Sequence, residues 1–162
     1  MSGLWLFLAA LLAISATHKV IARERLAIVA ARLAGSPAAL GQPLLLGAAC
    51  AETLAAVALA ADPLRQAGAL AAAAIWTGYA VALFARRGQV LDCGCDFVRR
   101  ERPVSWPAIF RPAVLALMAC AVTAIPEPAF ALDAPFAALA LLALYFAASE
   151  LAALPFPARR SS

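Results

Sequence analysis

Five apolar runs, each with at most one charged side chain, divide this chain: residues 4–17 (reaching 21 if His18 and Lys19 snorkel at the end), 43–61, 67–85, 112–125 and 134–154. About 20 apolar residues in helical form cross the roughly 30 Å hydrocarbon core of a bilayer. Inside that core every backbone N–H and C=O must be satisfied within the structure itself, which a helix achieves. The chain therefore reads as all-α, an integral membrane helical bundle with four to five transmembrane helices. The fourth run is short enough to be a tilted or partial helix, so the count stays open. Charged residues make up only 14% of the chain and hydrophobic residues 65%. A soluble domain carries about a quarter charged residues, so this chain has no means of covering itself with a polar surface.

Residues 1–162 form one domain, with no room for a second. No positive charge precedes the first apolar run, which argues against a cleaved signal peptide. Residues 22–34 are mixed: Ala22, Leu26, Val29 and Leu33 recur at helical spacing while arginines point elsewhere. This segment reads as an interfacial helix or as a continuation of the first, broken by Gly35-Ser36-Pro37. Residues 62–66 join the second and third spans in a tight antiparallel hairpin. Residues 86–111 form the longest polar stretch. The abundant alanine suits close packing of helices in lipid.

If all five runs cross, the cations sort to one side. Lys19, Arg23, Arg25, Arg32, Arg86, Arg87, Arg99, Arg100, Arg102, Arg111, Arg159 and Arg160 share the side of the polar stretch, and only Arg65 lies opposite. Cations at the ends of apolar runs are a membrane pattern, so the net charge of +4 does not point to nucleic acid. By the positive-inside rule the polar stretch faces the cytoplasm.

That stretch holds Asp92-Cys93-Gly94-Cys95-Asp96. A disulfide between cysteines one residue apart closes a small, strained ring, and such a bond is readily reduced and suited to exchange. Gly94 eases the backbone bend by lacking a Cβ. Cys93 and Cys95 are thus a candidate redox pair. The competing readings are ordinary loop cysteines or half of a metal site, the latter weakened because His18 is the single histidine. Cys50 and Cys120 are a possible second pair: each lies seven or eight residues past a proline opening its span, giving both an expected depth of ~10–12 Å. Free cysteine is also a common apolar core residue. Glu52 and Glu150 sit inside the second and fifth runs. A carboxylate in hydrocarbon needs a partner, so both are expected to face the bundle interior, either handling protons during thiol exchange or joining helices. Lys19 or His18 reaching Glu52, or Glu52 and Glu150 sharing a proton, are the pairings their depth allows. Trp76, Tyr79, Trp5 and Tyr145 read as packing or interfacial residues, and Trp106 as an interfacial turn.

A first span ending in His18-Lys19, Glu52 in the second, a hairpin to the third, then Arg87-Gly88 and Asp92-Cys93-Gly94-Cys95 together resemble the methylamine-utilisation MauE family, relatives of DoxX-like membrane proteins. The resemblance covers roughly residues 18–120. The family usually follows the cysteine motif with an aromatic and a glycine, whereas Asp96 and Phe97 follow here. The resemblance implies a multi-pass protein of the bacterial inner membrane that helps mature the small subunit of methylamine dehydrogenase, a periplasmic protein rich in disulfides. It also implies a thioredoxin-like MauD partner. By analogy of fold alone, the bundle is similar to the four-helix core of vitamin K epoxide reductases, which would make a membrane quinone the electron acceptor. This role sets the cysteine loop in the periplasm, against the count of arginines. A non-catalytic scaffold or chaperone for that maturation, or a small transporter using Glu52 and Glu150, are the alternatives.

Overall fold

The computed structural model describes residues 2–92, 101–124 and 132–153. Six α-helices follow in order: α1 (Ser2–Ile21), α2 (Arg23–Ala34), α3 (Gly41–Ala60), α4 (Arg65–Ala85), α5 (Trp106–Thr123) and α6 (Ala134–Ala153). Between α4 and α5, β1 (Val90–Asp92) and β2 (Glu101–Pro103) form a two-stranded antiparallel ladder. All of these helices except α2 are long and apolar enough to cross a membrane. The expected all-α membrane bundle is therefore present, with five helices among the described residues that have the length and composition to span.

α1 packs on α3 on one side and on α6 on the other, α3 on α4, and α4 on α5. Small residues bring these backbones together. Ala55 and Ala56 of α3, Ala69, Ala72 and Ala73 of α4, and Ala116 and Ala119 of α5 are buried beside Leu8, Leu12, Trp76 and Val122. Large apolar side chains such as Leu54, Leu70, Leu117 and Leu144 point outward instead. An apolar exterior around a small-residue interior is the inverse of a soluble bundle, and it matches a bilayer as solvent.

α5 departs from the sequence expectation. It begins at Trp106, six residues before Pro112, and Pro107 occupies its first turn. A proline is well tolerated there because the first N–H groups have no intrahelical partner. Pro112 lies inside the helix, buried, where it removes one backbone hydrogen bond. Membrane helices accept that loss because neighbouring groups re-satisfy the freed carbonyl. Pro112 was expected to open the span. The opening proline is Pro107, and the polar stretch shortens to residues 86–105.

α2 joins α1 through Ala22, whose ψ of 27° turns the chain. The helical ladder persists through the bend: the Ala22 N–H donates to the His18 carbonyl at 2.9 Å and the Leu26 N–H to Ala22 at 3.0 Å. Gly35 ends α2 at φ 69°, in the left-handed region where glycine avoids a Cβ clash, and the chain folds back so that α2 packs on α3. At that crossing a Cβ on Gly41 would run into the backbone of Ala27. Gly47, on the same helix, has open space at the equivalent point. Gly41→Ala is therefore expected to lower the thermal unfolding midpoint in detergent, at about 1–3 kcal/mol for an overpacked contact. Gly47→Ala should leave it unchanged or raise it. Equal effects at both positions would contradict the close α2–α3 crossing.

Candidate functional site

The polar interior of the bundle is built on Glu52. It lies halfway along α3, fully buried, and two other helices supply its partners. Lys19, near the end of α1, donates from Nζ to Glu52 Oε1 at 2.7 Å and Oε2 at 2.9 Å. Ser15, one helical turn earlier on the same face, accepts from Lys19 at 2.8 Å and donates to Glu52 Oε1 at 3.1 Å. Tyr79 of α4 donates to Oε1 at 2.8 Å, and Lys19 Nζ sits 5.3 Å from the centre of its ring. The i, i+4 spacing of Ser15 and Lys19 is what lets one helix present both groups to one carboxylate. Every donor around the acid converges on its two oxygens, so the charge is both paired and hydrogen-bonded.

Beside this cluster lies a cavity of about 190 Å³ to which all six helices contribute. Its walls are largely apolar and aromatic, with Trp76, Tyr79, Tyr145 and Phe146 among them. Ser15, His18 and Lys19 from α1 form one polar edge, and Arg111 of α5 forms another. Arg111 donates to the Tyr145 hydroxyl at 3.2 Å and stacks 5.3 Å from its ring, so one side-chain contact links α5 to α6. His18 lies 3.5 Å from Arg25 across the α1–α2 bend.

The root of the cysteine loop is fixed to the same end of the bundle. Register places Asp92 opposite Glu101, and the Gly88 N–H to Val104 O (3.1 Å) and Val104 N–H to Gln89 O (2.9 Å) bonds extend the ladder toward the helices. Val104 is buried against Leu83, Ile109 and Leu33. Leu83 and Leu33 also line the cavity, so the hairpin root and the cavity share a wall. Arg86 donates to the Leu33 carbonyl at 3.4 Å, and Arg87 lies 4.5 Å from the centre of the Trp106 ring. Trp106 is therefore the first residue of α5 and a stacking platform for Arg87, rather than part of a turn.

The family model for methylamine utilisation protein MauE matches residues 2–125. The chain belongs to the MauE family. No curated protein and no solved structure matches it. The matched region of this MauE-family chain takes in α1 to α5, and with them Ser15, Lys19, Glu52, Tyr79 and Arg111.

The residues singled out from sequence fare differently. Cys93 and Cys95 lie outside the described residues, directly after β1. Glu52 meets Lys19, one of the partners its depth allowed. Glu150 was expected to face the interior, but it is exposed on α6, which packs mainly on α1, so a residue's depth on that helix says little about burial. Cys50 and Cys120 are free thiols, both exposed. Their expected equal depth depended on a helix opening at Pro112. With α5 opening at Trp106, Cys120 lies fourteen residues in, about 21 Å, against nine residues and about 13 Å for Cys50. Sequence reading missed Ser15, Arg111, and the polar role of Tyr79. A serine four residues before a lysine at the end of an apolar run was the available signal for the first.

Removing one member of a buried ion pair strands the other, at a cost of about 3–5 kcal/mol, whereas replacing both with apolar residues is often neutral. Lys19→Met alone should markedly lower the denaturant midpoint in micelles, and Lys19→Met with Glu52→Met should recover most of the loss. Additive losses in the double variant would show that the two side chains act independently.

Proposed function

We propose that this methylamine-utilisation-associated membrane protein is a thiol–disulfide redox protein of the bacterial inner membrane. Its work is to assist disulfide formation in a periplasmic protein such as the small subunit of methylamine dehydrogenase, together with a thioredoxin-like MauD-type partner. The observation that carries this reading is the Asp92-Cys93-Gly94-Cys95 motif, which follows directly on β1 in the sequence of this MauE-family chain.

In the exchange, a thiolate of the partner attacks one sulfur of the Cys93–Cys95 disulfide. An intermolecular disulfide forms, and the second sulfur leaves as a thiolate that takes up a proton. The partner's second thiolate then attacks the mixed bond, so the partner is oxidised and the pair ends as two thiols. Two electrons and two protons move from partner to pair. The Ser15–Lys19–Glu52–Tyr79 cluster supplies groups that exchange protons within the bundle.

The loop is placed in the periplasm, where its substrates are. Several cations on that side have structural work that accounts for their presence: Lys19 on Glu52, Arg86 on the Leu33 carbonyl, Arg87 on Trp106 and Arg111 on Tyr145. The alternative is a docking scaffold in which the cysteines are dispensable.

A thioredoxin-like partner lacking its second, resolving cysteine should be trapped as a mixed disulfide on the Cys93–Cys95 pair, visible on non-reducing gels and lost on adding dithiothreitol. Full maturation activity in the Cys93→Ser/Cys95→Ser double variant would rule out redox exchange and leave the scaffold. In a background lacking Cys50 and Cys120, an impermeant maleimide should label the loop in intact cells. Labelling only after permeabilisation would put the loop in the cytoplasm.

A further inference from the structure

The cavity next to Glu52 has a composition that selects its occupant. Four aromatic rings, Trp76, Tyr79, Tyr145 and Phe146, stand among its lining, and its volume of about 190 Å³ is large enough for a single ring. Polar groups reach it at two places, Ser15, His18 and Lys19 from α1 and Arg111 with Tyr145 from α5 and α6. These groups are rich in hydrogen-bond donors, so they call for oxygen acceptors at two points of a flat apolar body. The Lys19 charge is already matched by Glu52 at 2.7 Å, which favours a neutral acceptor over a carboxylate. α6 packs on α1 and meets α5 through the Arg111–Tyr145 contact, leaving the α5–α6 side as the route from the bilayer.

We propose that this cavity is a binding site for a membrane-soluble quinone, seated among the aromatic rings with one carbonyl toward Arg111 and Tyr145 and the other toward Lys19 and His18. The purpose of the site rests on the redox reading above, while binding itself does not. Re-forming a disulfide from two thiols releases two electrons and two protons. A quinone takes up two electrons and two protons to become a hydroquinone, so the reaction balances with no further oxidant. Leu83 and Leu33, shared between the cavity wall and the buried root of the cysteine hairpin, put the acceptor site and the hairpin at the same end of the bundle.

The test is fluorescence titration of the full chain in lipid nanodiscs, with Trp5→Phe and Trp106→Phe leaving Trp76 as reporter. The probe is a benzoquinone carrying one isoprene unit. Saturable quenching is expected, with affinity about tenfold or more weaker when Ala108→Phe fills the cavity. Arg111→Gln, which keeps a donor, should weaken binding less than Arg111→Leu. Quenching that rises linearly with quinone and is the same in the Ala108→Phe variant would overturn the proposal. So would displacement of the quinone by decanoate at equal concentration, which would mark a carboxylate site. Repeating the titration in the Cys93→Ser/Cys95→Ser variant separates the two claims. Binding intact with no thiol exchange in the parent protein sinks only the redox reading, and exchange intact without binding sinks only this one.

Discussion

A carboxylate in the middle of a membrane helix is the constraint around which this bundle is arranged. Glu52 is completely buried on α3. An unpartnered charge there would be prohibitive, so the helices carrying its donors must be neighbours of α3. α1 brings Ser15 and Lys19, and α4 brings Tyr79. The hydrophobic effect gives no such instruction in lipid, because outward and inward apolar faces are solvated almost alike. Alanine packing lets α1, α3, α4 and α5 approach closely, and the ion pair specifies which faces meet.

The bundle is consequently asymmetric along its axis. One half is packed from small and branched apolar residues, with Leu8, Leu59, Ala69 and Val122 at its centre. The other half holds the ion pair, the cavity, the Arg111–Tyr145 contact and the anchored root of the hairpin. The polar groups of that half gather on Glu52, which needs them as partners because a buried charge is costly.

The spans and the importance of Glu52 were legible in the sequence because hydrocarbon tolerates few exceptions. Apolar runs of the right length mark helices, and a lone acid within one demands a partner. Azimuth was not legible. A helix such as α6, apolar on every face, carries no stripe to say which side is inward, so Glu150 gave its depth but not its exposure. Prolines misled in a different way: Pro112 resembled a helix start, but Pro107 fills that role and Pro112 is carried inside the turn. That one shift of register moved Cys120 away from the depth of Cys50. Tyr79 reads from sequence as one more aromatic in an apolar run, and only the folding of α4 against α3 makes its hydroxyl a ligand for Glu52.

The claim on which the functional account depends is that Cys93 and Cys95 interconvert between dithiol and disulfide as a pair. The direct measurement is to equilibrate the membrane-embedded protein across glutathione redox buffers, quench with acid, and count free thiols by the mass added on alkylation. The account predicts that two tags appear and disappear together, reversibly, while Cys50 and Cys120 stay tagged throughout. A Cys93–Cys95 pair that remains fully alkylated, or fully protected, across the whole range would contradict it.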